Sequence, residues 1–225
     1  LFIVLIYTSG SMSIQDDYAS KNRMSIVKSA LSLSDVKKAF FPSDVSNRVI
    51  LLEFTEGRPK PVGGKIKLIQ DMDQYQEEIN KIKPGGGFTH LYDSIRYGAI
   101  DLLKNDEIKE WMELNEAAPT VIALTDGFNN QRGADICADN APRLQELIKD
   151  IREVRTDEEL DIRYRPTIYT VGLGTPIQSK FTLPQEERMS VTVNKLCSRR
   201  FAEKRIDGVL ENQGIDNASL VWIAD

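Results

Sequence analysis

The sequence predicts an α/β fold with a mainly parallel central sheet, and three observations carry that prediction. Apolar runs of strand length recur along the chain, at residues 1–6, 49–54, 120–125 and 167–172. Stretches with apolar residues at helical spacing lie between them, which is the alternation of a parallel sheet with crossover helices. Several of the runs give way at their carboxyl ends to small or polar residues, where ligands bind in open sheets of this class.

The first run, residues 1–6, is unbroken and suits a strand buried on both faces. It gives way at Tyr7 to Thr8-Ser9-Gly10-Ser11. Residues 13–23 are polar and read as a loop. Residues 25–40 read as one helix, with Ile26, Ala30, Leu33 and Phe40 among its apolar positions, ending at Pro42. After the strand at 49–54, a turn rich in Gly and Pro covers 56–64. Residues 65–70 alternate Lys65-Ile66-Lys67-Leu68, as a half-exposed antiparallel edge strand would. Helices follow at 73–83, with Tyr75, Ile79 and Ile82 on one face, and at 91–103, with Ile95, Ala99 and Leu102. The charged stretch 106–118 caps or extends the second of these. After the strand at 120–125, residues 126–142 form a long connection and 142–154 a helix with Pro142 near its first position. Helices at 186–201 and 202–211 and a strand at 219–224 complete the reading.

The length of 225 residues suits a single domain over 1–225 with a sizeable core. With 41% hydrophobic and 28% charged residues, the composition is that of a globular protein. A net charge of −5 and a pI near 5.2 argue against a general nucleic-acid binder or a binder of anionic membranes. No apolar run approaches the roughly 18 residues that membrane insertion needs. A core strand that begins at Leu1 is expected of a segment cut from a longer protein, so no compartment is read from its start. Cys137 and Cys197 are expected as two free thiols.

Three stretches carry candidate chemistry: the loop Thr8-Ser9-Gly10-Ser11, the stretch Gly85-Gly86-Gly87-Phe88-Thr89-His90-Leu91, and TVIALTDG from Thr120, which ends in Asp126-Gly127. In these three, in this order, the chain resembles a von Willebrand factor type A domain, over about residues 1–175. The resemblance implies a Rossmann-like three-layer fold, with one antiparallel edge strand and helices on both faces. It also implies a metal-ion-dependent adhesion site whose first loop reads Asp-x-Ser-x-Ser, with a Thr and an Asp from two further loops. The matching positions are Ser9, Ser11, Thr89 and Asp126, while Tyr7 stands where the family has its first Asp. Such a site holds Mg²⁺ or another divalent cation, and an acidic side chain of a partner protein completes it. The implied function is a non-enzymatic adhesion or adaptor module that binds through loops 8–23, 84–92 and 126–141. A scaffold subunit with a vestigial metal site is the alternative, and a hydrolase using the hydroxyl-rich crevice is a remoter one.

Tyr7 weakens the metal reading. Two carboxylates would neutralise a divalent cation, whereas a phenol with a pKa near 10 is uncharged at pH 7 and bulkier. Either Asp16 or Asp17 folds back to replace the missing carboxylate, or a partner supplies it, or the site holds metal weakly or not at all. Plainer roles stand beside each residue. Ser9 and Ser11 suit a tight turn and a helix start, Thr89 a helix cap, and Asp126 a bond to its own turn. His90, the only histidine, reads as a solvated loop residue, with no second His or Cys at hand. Arg199, Arg200, Lys204 and Arg205 read as a solvated helix face. Gly85 to Gly87 lacks the Lys-Ser/Thr that follows in a phosphate-binding loop.

Overall fold

The computed structural model describes residues 1–13, 15, 20–125, 136–156 and 165–172, with only the backbone at 136–142, 144, 155–156 and 172. Asp16, Asp17, Asp126, residues 126–135, the side chain of Cys137 and everything from 173 onward lie outside the described residues. The expectations for Asp16, Asp17 and Asp126, for the two thiols, for the basic cluster at 199–205 and for the final helices and strand therefore fall there as well.

Five strands form one sheet in the order β3-β2-β1-β4-β5. They are β1 (Phe2–Tyr7), β2 (Val49–Phe54), β3 (Lys60–Pro61), β4 (Thr120–Thr125) and β5 (Thr167–Gly172). Strand β1 pairs in parallel with both β2 and β4, and β4 with β5, while β3 runs antiparallel along the edge. The continuous apolar runs thus became the central strands, because only strands covered on both faces can be apolar at every position. The chain moves outward from β1 in opposite directions through β2 and through β4, so the order reverses between β1 and β4.

Side-chain alternation along β1 assigns the helices to faces. Phe2 points to one face, where its ring packs 5.0 Å from Phe40 of α2 (Ser34–Phe40), and Phe40 meets Tyr75 of α3 (Met72–Lys81). Ile3 and Leu5 point to the other face. There, Gly98 lies close against both and against Val121, in the continuation of α4 (Leu91–Arg96). The result is a three-layer α/β fold with a mostly parallel sheet and helices on both faces. Tyr7, two residues beyond Leu5, belongs to the α4 face.

Several local expectations change. The helix read at 25–40 is two helices, α1 (Arg23–Leu31) and α2, separated at Ser32 and Leu33, where Leu33 is extended. Its core face is Met24, Val27 and Leu31, while Ile26 and Leu33 are exposed. The extended Leu33 breaks the helix and resets the phase of its apolar positions. The antiparallel edge is β3 rather than 65–70, where a single bridge joins Ile69 to Val49. The helix read at 91–103 opens as α4, widens into a π turn at Tyr97–Asp101 and tightens into a 3-10 turn at Leu102–Lys104. The charged stretch does not extend it. It forms a separate helix, α5 (Asp106–Leu114), whose start is marked by Asn105 accepting the Ile108 N–H at 3.2 Å and by Asp106 and Glu107 in the first turn. Helix α6 (Ile136–Thr156) begins six residues before Pro142 and buries Leu147, Ile148 and Ile151. Among the described residues, no helix is long and apolar enough to cross a membrane.

Candidate functional site

The site lies at the carboxyl edge of β1, beside the point where strand order reverses. Tyr7 is the last residue of β1 and is in register with Phe54 of β2, and their rings pack at 5.4 Å. That contact holds the phenol over the end of the sheet, with only 4% of the residue exposed. From there its hydroxyl reaches Thr89, with which it forms a buried hydrogen bond.

The first loop turns tightly. The Met12 N–H donates to the Ser9 carbonyl at 3.0 Å, within a 3-10 turn at Gly10–Ser13. This turn brings the Ser9 and Ser11 hydroxyls within 2.9 Å of each other. Ser11 Oγ also donates to the Tyr7 hydroxyl at 3.5 Å, long for a bond between hydroxyls and so the weakest link. Ser9, Ser11 and Thr89 therefore come together, linked through the Tyr7 hydroxyl that stands among them. Thr8 is tied to the sheet, its N–H donating to the Phe54 carbonyl at 3.1 Å.

The glycine-rich loop docks on the first by its backbone. The Gly85 N–H donates to the Thr8 carbonyl. A Cβ at Gly85 would lie 3.2 Å from that same oxygen, so the loop can come this close only without a side chain. Gly87 has φ +104°, which favours glycine, and its open side faces the Glu56 carboxylate. Thr89 does not cap α4: that position belongs to His90, with no side-chain cap, and the Thr89 hydroxyl turns to Tyr7 instead.

His90 is not a freely solvated loop residue. Its N–H donates to the Thr55 carbonyl at 2.8 Å, and its Nδ1 accepts the Gly57 N–H at 3.1 Å. Nδ1 also lies 3.6 Å from the Asp93 carboxylate, and Nε2 is buried without a described partner. The imidazole fastens the loop after β2 to the start of α4. No bond joins it to Ser9 or Ser11 among the described residues, so they contain no Ser-His pair of a hydrolase. Sequence reasoning missed this role. The signal for it was the nearness of His90 to the glycine loop, but its partner is a backbone group that no side-chain pattern announces.

The donors gathered here are three aliphatic hydroxyls and a phenol, all uncharged. A hard divalent cation is held by oxygen ligands that include carboxylates. Among the described residues, no three His, Cys, Asp or Glu side chains gather as a metal set. Thr89, one of the implied ligands, already has the Tyr7 hydroxyl as its partner. These hydroxyls alone, without a carboxylate, do not hold a divalent cation.

No protein-family model matches the chain. No curated protein matches it either. Among solved structures, proximal thread matrix protein 1 (PTMP1) from the mussel byssus is similar, with a TM-score of 0.48 and 16% identity over 88% of this chain and 45% of that chain. A structure of the same protein "with zinc occupied MIDAS motif" gives 0.48 and 14% over 87% and 45%. The SpRpn10 VWA domain gives 0.45 and 12% over 86% of this chain and 80% of that chain. This chain spans less than half the length of the mussel protein.

Proposed function

We propose that this chain is a non-enzymatic protein-binding module, an adhesion or adaptor unit of the von Willebrand A type, that engages another protein through the loops at the carboxyl edge of its sheet. The observation that carries this reading is the meeting of the Ser9, Ser11 and Thr89 hydroxyls, from loops some 80 residues apart, beside the strand-order reversal. Residues 8–23, 84–92 and 126–141 would form the contact surface. Neutral side chains facing one another, with no described base on either serine, suit recognition better than bond cleavage. The net charge of −5 directs the reading to a protein partner rather than a nucleic acid.

A second reading keeps a cation. In it Ser9, Ser11, Thr89 and Asp126 hold Mg²⁺ or a similar ion only when a partner's acidic side chain arrives with it. The convergence of three hydroxyls favours this arrangement, and the partner's carboxylate would make up for Tyr7.

Site-specific photo-crosslinking tests the binding face. A crosslinker at Gly86, in the exposed glycine loop, should capture a discrete partner that one at Ser46, before β2 at the opposite edge, does not. Capture from Ser46 alone would point to a scaffold that binds by another face. Capture from Gly86 only when Mg²⁺ is present would favour the second reading.

A further inference from the structure

The hydroxyls of the site form one connected series running from Ser9 Oγ to Ser11 Oγ, to Tyr7 OH, to Thr89 Oγ1. Ser11 donates to Tyr7, so a head-to-tail arrangement from Ser9 to Thr89 satisfies each link in one direction. The series crosses between two loops that are also joined by the Gly85 N–H bond to the Thr8 carbonyl. Its central member is fixed on three sides: by the end of β1, by the Phe54 ring and by Thr89. Thr8, Ser9 and Thr89 are all buried.

A cation bound by oxygens from separate loops cross-links those loops. The Tyr7 hydroxyl makes the same kind of link from a covalently attached group. We propose that Tyr7 is a positioning residue that replaces a cation. Its bond to Thr89 keeps the first loop and the glycine loop assembled as one surface, whether or not any metal is present. The burial of the phenol and the tilted packing of its ring against Phe54 make this link cheaper in entropy than one from a mobile side chain, because the ring is already immobilised before the bond forms. The consequence is a binding surface that is organised before a partner arrives and does not respond to chelators.

Backbone hydrogen exchange tests this without any partner, so failure to find a partner does not bear on it. Exchange is followed at residues 9–13 and 86–90 in the unaltered protein and in the Tyr7→Phe, Thr89→Val, Thr89→Ser and Tyr7→Phe/Thr89→Val variants, each with chelator and with excess Mg²⁺. In the unaltered protein both loops should exchange at the same rate in the two conditions. Tyr7→Phe and Thr89→Val should each speed exchange in both loops, by roughly fivefold to tenfold, the size of one lost hydrogen bond. The double variant should exchange no faster than either single one, and Thr89→Ser, which keeps the hydroxyl, should stay near the unaltered rate. Amides 3–5 of β1 report whether the fold is intact. If they open in Tyr7→Phe, the comparison passes to Thr89→Val against Thr89→Ser, and equal rates in those two would overturn the proposal. It would also be overturned by loops that loosen with chelator alone, by unchanged loops in Tyr7→Phe, or by fully additive single variants.

Discussion

The hydroxyl of Tyr7 and that of Thr89 are hydrogen-bonded to each other across 82 residues of sequence. One residue closes the central strand of the sheet and the other lies two residues before a helix that covers the face toward which Tyr7 points. The alternation of side chains along β1 brings them together. With Ile3 and Leu5 directed at the α4 face, the residue two positions further on points to that face too, under the loop that enters α4.

Thr89 is 4% exposed and its hydroxyl is engaged, so its removal should be felt by the fold. Thr89→Ala should cost about 1–2 kcal/mol, since the buried Tyr7 hydroxyl loses its Thr89 partner. Thr89→Ser should recover most of it. Chemical denaturation of the three proteins checks this, and an unchanged midpoint for Thr89→Ala would contradict it.

Gly85 and Gly86 are neighbours with different surroundings. A Cβ at Gly85 meets the Thr8 carbonyl, whereas one at Gly86 meets nothing within 4 Å. Gly85→Val should cost roughly 1–3 kcal/mol through overpacking against backbone that cannot move aside. Gly86→Val should stay within about 0.5 kcal/mol of the unaltered protein. Equal melting temperatures for the two variants would show that the loops do not meet at Gly85.

Glu78 provides a pH test of the region behind the site. Its side chain is 2% exposed on α3 and accepts from Lys67 at 2.5 Å and from Lys81 at 2.9 Å. Burial pushes its carboxyl up, but the hydrogen bonds and charges of the two lysines together outweigh this and leave it below the usual range. A depressed carboxyl contributes stability that is complete above its unfolded pKa of about 4.3 and is lost as pH falls through the folded value. Both lysines are more than a third exposed, so solvent screens the pair, and Glu78→Gln should cost only about 1–2 kcal/mol at pH 7. The gap should close as pH falls well below about 4. Thermal denaturation of both proteins across that range measures it, and a constant gap would mean that the carboxylate charge is not what stabilises Glu78.

The central strands were legible because residues 1–6 and 121–124 are apolar without interruption, and such a pattern leaves few alternatives to a strand covered on both faces. The convergence of Ser9, Ser11 and Thr89 was legible only through the resemblance of three motifs, since nothing in the composition joins residues so far apart. Less was legible where one signal hid another. The charges of Asp106 and Glu107 looked like a solvated extension but mark a helix start after Asn105. The alternation at 65–70 looked like an edge strand, yet the chain pairs with β2 earlier, at Lys60–Pro61. By sequence alone Tyr7 is a misfit that weakens a metal site. Its positive role, a bond to Thr89, depends on ring placement over Phe54, and that follows from strand register rather than from any local pattern.

The central claim is that Tyr7 puts an uncharged hydroxyl, bonded to Thr89, where the motif has its first carboxylate. Calorimetric titration of Mg²⁺ and Mn²⁺ into the unaltered protein and into Tyr7→Asp, at equal ionic strength, tests it most directly. The substitution removes the phenol from Thr89 and adds the carboxylate that the motif lacks. Attraction of several kcal/mol at an effective dielectric of about 20 is largely offset by desolvation, leaving a net gain of about 1–3 kcal/mol, or roughly tenfold to a hundredfold in affinity. The account predicts weak or undetectable binding by the unaltered protein and measurable binding by Tyr7→Asp. Tight binding by the unaltered protein would contradict it.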